Sequence, residues 1–220
     1  MMMILFILCV FSQSTQASTT DNTNKNKAWS LWKQNLNLRI QYRKSQQQNL
    51  IEIHASANIT SSLSAALLFL QDTDIIPNWL ANAHSSKVLV KLSEQENISK
   101  TTFDAFWPIK KREMIVRSRY WQNSDLSVEV VIEDEYEDYQ QYANTNNIPI
   151  NIISAYWKLT PSGKNTINIK HTIIANPNGY VPSWLANRIA LNAMWQSLLN
   201  IEKQLPNSNY QLQHLSTIKK

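Results

Sequence analysis

The 220-residue chain carries one cysteine and two glycines, and each scarcity removes a class of function. Cys9 lies inside the apolar run Ile4–Phe11, with bulky Leu8 before it where a lipidation site needs a small residue. Residues 1–17 have the layout of a secretory signal peptide without its usual positive n-region: an apolar stretch too short to span a bilayer, then small and polar residues. Thr15 and Ala17 form an approximate small-x-small cleavage site before Ser18. A cleaved export signal is expected, the alternative being a retained N-terminal anchor; cleavage would remove Cys9 and with it a disulfide framework, a zinc–thiolate site and a cysteine nucleophile. With only Gly163 and Gly179, no Gly-rich phosphate cradle can form. There is no nucleophile elbow and no acid pair with a nearby histidine. The four histidines (54, 84, 171 and 214) show no metal-ligand spacing, so neither metal nor cofactor is expected.

Charge of one sign is only mildly in excess. Twenty-one Lys and Arg against sixteen Asp and Glu give +5, and the signal segment contributes none of it. The basic residues are scattered, without the dense run that tracks phosphates, which argues against nucleic acid and for weak attraction to an anionic membrane surface. The run Glu133–Tyr139 is acidic but lacks the alternating ligands and glycine of a calcium loop, so it is expected to be solvated.

Eight tryptophans give a chain of this length enough apolar area for one sizeable core. Residues 18–28 have almost nothing to bury and are expected as a flexible leader, ahead of a single domain over 29–206 and a frayed tail over 207–220. Trp29 and Trp32 open the domain and suit a short helix. Period-2 patterns over Leu36–Arg43 and Leu50–Ile59 read as two strands joined by a Gln-rich turn. Ser61 and Ser62 precede the helix formers Leu63–Leu70, and a second helical turn is expected around Pro77 and Trp79. Six further strands follow, over Val88–Leu92, Lys100–Trp107, Met114–Trp121, Leu126–Ile132, Ile152–Leu159 and Thr166–Ala175. Their short connections favour antiparallel neighbours.

The final element changes period. From Ser183 to Leu205, residues Trp184, Asn187, Leu191, Met194, Trp195, Leu198, Ile201 and Leu205 recur at three- and four-residue spacing. They form one helical stripe roughly 33 Å long at 1.5 Å per residue. Pro182 suits the first turn and Pro206 the end. A lone long amphipathic helix after an antiparallel sheet must bury its stripe on the sheet's concave face.

Three segments carry a resemblance. Trp107-Pro108-Ile109-Lys-Lys-Arg112-Glu113, Trp157-Lys-Leu159-Thr-Pro161 and Pro177-Asn-Gly179-Tyr-Val-Pro182-Ser-Trp184-Leu185-Ala-Asn187 resemble motifs of the START (steroidogenic acute regulatory protein-related lipid transfer) family, in the same order. The resemblance covers about residues 29–205, and Trp79 sits where the family has a tryptophan. It implies an α+β helix-grip fold (START/Bet v 1-like): a curved antiparallel sheet wrapped around the C-terminal helix, with an internal apolar cavity. It also implies non-catalytic binding of a sterol, phospholipid or fatty acyl lipid by a monomer. Two departures bear on head-group chemistry. Asn176-Pro177-Asn178-Gly179 stands where the family has Asp-Pro-Gly-Gly, and the arginine common before the Trp157 motif is missing.

Eight residues are candidates for ligand contact. Leu191, Met194, Trp195 and Leu198 are expected on the cavity wall. Asn187 either hydrogen-bonds a lipid head group or sterol hydroxyl, or makes a capping or helix-to-loop bond. His171, in phase with Ile167, Ile169 and Ile173, is either a polar spot on the wall or a satisfied core histidine. Arg117 and Arg119 share one face of their strand, inward with Glu129 as partner or outward in solvent. Asp134–Ile150, the long polar connection, is expected as a lid over the cavity mouth. Helix-grip cavities also host enzymes, and a filled cavity would leave an interaction module; these are the rival readings.

Overall fold

The computed structural model describes residues 28–46, 50–105 and 109–219. The signal and leader, apart from residue 28, lie outside the described residues, as do Trp107 and Pro108 of the first motif.

Ten strands form one sheet: β1 Ser30–Gln34, β2 Leu38–Lys44, β3 Ile51–Thr60, β4 Ala83–Lys91, β5 Glu96–Phe103, β6 Arg112–Gln122, β7 Val128–Asp134, β8 Ile148–Pro149, β9 Asn151–Gly163 and β10 Thr166–Asn176. Their order is β1-β2-β3-β10-β9-β7-β6-β5-β4, antiparallel throughout, with short β8 alone pairing parallel to β6. Between β3 and β4 lie α1 (Leu63–Gln71) and α2 (Ile76–Trp79), and α3 (Ser183–Gln204) follows β10. The architecture is the expected helix grip.

Local chemistry accounts for each element. The Ser62 hydroxyl accepts from the Ala65 N–H at 3.1 Å, an N-cap worth about 1 kcal/mol. Pro77 occupies the first turn of α2, where its missing N–H costs nothing. Alternation in β3 buries Ile53, Ala55, Ala57 and Ile59 on one face. That face continues through the register partners Ile173, His171, Ile169 and Ile167 of β10. α3 packs against β2, β3 and α2, and Leu191, Trp195, Leu198 and Ile201 join the main core there.

Three expectations fail. Trp32 lies in a strand: Ser30 pairs with Tyr42 and Gln34 with Arg39, so the segment extends the sheet instead of coiling. Leu36 is exposed in the turn after it, because the Asn35 carboxamide accepts from the Asn37 and Leu38 N–H groups and starts β2 at Leu38. The tail does not fray. Tyr210 packs edge-on against Phe69 at 6.1 Å and its hydroxyl donates to Asp72. Ile218 is buried, next to a 3.0 Å hydrogen bond between the hydroxyls of Tyr120 and Thr217.

A fourth concerns the supposed lid. Met114, Val116 and Ser118 of β6 border the internal cavity, so Glu113, Ile115 and Arg117 point to the opposite, convex face. Glu113 and Ile115 are nevertheless fully buried, because residues 135–149 cover them. The buried Glu113 carboxylate accepts from the Asn144 N–H (2.8 Å) and the Asn147 amide (2.9 Å) and pairs with Lys100 (3.1 Å). A buried carboxylate needs such partners, and this loop together with Lys100 of β5 supplies them. Among residues 135–150, only Ile150 borders the cavity.

Candidate functional site

Between α3 and the concave face lies a cavity of about 490 Å³. The sheet contributes Ile53 of β3, Ser99 and Thr101 of β5, Met114 and Val116 of β6, Val130 and Ile132 of β7, Trp157 of β9 and Ile173 of β10. The register brings Thr101 opposite Met114 and Ser99 opposite Val116, so one period-2 face of each strand supplies the wall.

The helix contributes a flank that the stripe anticipated only at Asn187 and Met194. Ala186, Asn187, Ala190, Ala193, Met194 and Ser197 border the cavity. Leu191, Trp195 and Leu198 do not. They are buried in the main core, and Trp195 also takes Lys33 Nζ over its ring at 4.7 Å. The helix seats the centre of its apolar stripe against β2 and β3, and only Asn187 and Met194, on one edge of that stripe, reach the void. Trp184, at the start of the stripe, is 70% exposed. The missed signal is the spacing of small residues at 186, 190, 193 and 197.

Asn187 has no side-chain hydrogen-bond partner among the described residues, so the helix-to-loop bond offered as its alternative role is not formed. His171 borders the cavity and is buried. Its Nδ1 lies 3.0 Å from the Tyr156 carbonyl, which only accepts, so Nδ1 carries the proton. Its ring stacks on Trp157 at 3.9 Å. Burial pushes its pKa down to about 4, against the weaker pull of that carbonyl, and the imidazole is neutral.

Arg117 and Arg119 are on the convex face and do not border this cavity. The Arg117 guanidinium sits 2.6 Å from Glu135 and 3.6 Å from Glu96, while Arg119 is exposed. Glu129, the partner considered for them, holds Lys158 at 3.1 Å. Strand parity decides this: once Ser118 faces inward, both arginines must face out.

Two wall groups went unread in the sequence. The indole N–H of Trp79 is buried with no partner among the described residues, although the ring packs against Phe69 and Trp157. Arg112 also borders the cavity and is only 6% exposed. Its Nε donates to the Pro177 carbonyl (3.1 Å) and its terminal nitrogens to those of Lys110 (2.9 Å) and Asn178 (3.3 Å). The Pro177 and Asn178 carbonyls belong to a turn with Asn178 and Gly179 both at positive φ (51° and 73°). A side chain at Gly179 would meet Ile148 at 3.0 Å. The Asn178 amide fixes the turn on the Pro149 carbonyl at 2.9 Å.

No protein-family model matches the chain. An uncharacterized protein of Pseudomonas aeruginosa is 24% identical over 112 residues, and the match spans about half of each protein, 50% of this chain and 54% of the relative. Solved structures match more widely. A STAR-related lipid transfer protein fragment from Xanthomonas axonopodis superposes with a TM-score of 0.67 at 21% identity, over 79% of this chain and 96% of that one. Human StAR-related lipid transfer protein 5 gives 0.72 at 12% identity, over 82% and 88%. A human lipid transfer and protein localization domain gives 0.70 at 15% identity, over 82% and 90%. The chain has the START-type helix-grip fold.

Proposed function

We propose that this protein binds one hydrophobic molecule, a sterol, phospholipid or fatty acyl lipid, in the cavity beneath α3, and carries it between membranes without chemical change. The observation that carries the reading is the void of about 490 Å³ with a mainly apolar wall, a size suited to a small amphiphile. Affinity would come chiefly from apolar burial, near 25 cal/mol per Å², with a few polar wall groups orienting the ligand. The lipid transfer proteins that share the fold favour the same reading.

Loading requires a surface that meets lipid. Tyr180 and Trp184 are exposed beside the Pro177–Val181 stretch of the cavity wall, with Arg188 one turn on from Trp184. Aromatic rings with cations beside them suit the interface of an anionic bilayer. We read the protein as a monomer acting outside the cytoplasm, exported by residues 1–17.

Native mass spectrometry of protein purified from its own host, followed by lipid extraction, tests the reading. A carrier yields a co-purifying lipid and moves it between labelled vesicles. Repeated preparations with no bound molecule, together with no vesicle transfer, would sink it.

A further inference from the structure

The cavity wall holds a buried cation that no protein anion balances. Among the described residues no carboxylate forms an ion pair with Arg112. Asp104, the acid that also borders the cavity, is held by His84 at 3.1 Å. The three carbonyls around Arg112 are dipoles, not charges, and they engage three of its five N–H donors. One N–H on each terminal nitrogen is left over. Burial lowers the guanidinium pKa, and no nearby charge offsets that effect.

The surroundings add positive potential. α3 begins beside the same turn, with no side-chain cap, no acidic residue in its first turn and Ser183 on the cavity wall. Its dipole therefore presents a partial positive charge there. Lys110 and Lys111 directly precede Arg112, exposed, and the Lys110 carbonyl lies on the guanidinium itself. Close by, the wall turns apolar at Ile109, Ile150, Ile152 and Val181. A fixed planar fork beside an apolar void matches a carboxylate or phosphate joined to a hydrocarbon chain.

We propose that the cavity selects amphiphiles with an anionic head group, a carboxylate or a phosphate ester, held by Arg112 beneath the Asn176–Gly179 turn with the chain along the apolar wall. This rests on the cavity being the ligand site. The carbonyls fix the guanidinium in advance, so the head group meets an oriented donor pair and replaces water there.

The test titrates the full-length protein, stripped of lipid, with palmitate, hexadecanol and inorganic phosphate in parallel. Palmitate is expected to bind at least tenfold more tightly than hexadecanol, and phosphate alone only weakly. Arg112→Gln should bring palmitate affinity down to that of hexadecanol, whereas Arg117→Gln, on the convex face, should keep the preference. Equal binding of palmitate and hexadecanol overturns the head-group assignment alone, as does a preference that survives in folded Arg112→Gln. Phosphate binding as tight as palmitate also overturns it, in favour of a free-anion site. Failure of both palmitate and hexadecanol to bind overturns the cavity reading as well. A second measurement avoids the variant: carboxyl-¹³C palmitate bound to the unmodified protein should stay ionised to lower pH than palmitate in vesicles. Protonation at the vesicle value overturns the proposal.

Discussion

The two flanks of α3 share a helix, a period and a sheet, yet one is core and the other borders a void. Leu191, Trp195, Leu198 and Ile201 are buried in the core where α3 packs on β2, β3 and α2. About a third of a turn away, Ala186, Ala190, Ala193 and Ser197 border the cavity. Both flanks face the protein, so hydrophobicity does not separate them. Side-chain volume contributes: alanine and serine at 186, 190, 193 and 197 leave space, which Ile189 and Met194 on the same flank border without filling.

The comparison can be broken from either side. The largest effect belongs to the packed flank: Leu198 is 1% exposed, and Leu198→Ala should cost about 3 kcal/mol in urea unfolding. Lipid uptake per folded molecule should not change. A loss below 1 kcal/mol, or lost uptake, would erase the distinction between the flanks.

Across the void, the sheet wall should behave like core in one respect, because His171 is kept neutral there. The unfolded chain takes up its proton near pH 6.5 and the native state only near 4, so this contribution is complete above 6.5 and is lost as pH falls toward 4. The loss amounts to about 3 kcal/mol at most. His171→Gln should flatten that limb of the stability–pH profile. An unchanged limb would mean that His171 is hydrated and the wall is wet.

The smallest effect sharpens the other flank. Ala193→Phe should fill the void and weaken uptake at least tenfold, about 1.4 kcal/mol. Its urea midpoint should stay close to that of the unmodified protein. Unchanged uptake would show that the ligand does not lie along this flank.

Legibility followed the range of the interaction involved. The period-2 strands, the Ser62 cap, the Pro77 turn and the long helix were readable because each depends on residues within a few positions. Trp32 was misread because its strand exists only through pairing with β2. The tail was misread because Tyr210, Thr217 and Ile218 are ordinary residues until α1 and β6 supply their partners. Of the eight site candidates, Asn187, Met194 and His171 border the cavity, while Leu191, Trp195, Leu198, Arg117 and Arg119 do not. Alternation showed that the two arginines share a face. It carried no information on which face looks inward, since inverting a strand inverts every side chain on it.

The sequence by itself determined most of the elements, their order and the antiparallel sheet closed by a helix, because periodicity, capping and turn chemistry act locally and the resulting apolar faces pack in few ways. Tertiary structure alone decided the rotation of α3, the covering of the convex face by residues 135–149, and the seating of Arg112 under the Pro177 and Asn178 carbonyls. Each depends on which distant groups meet, and a void is defined by the atoms that fail to reach it.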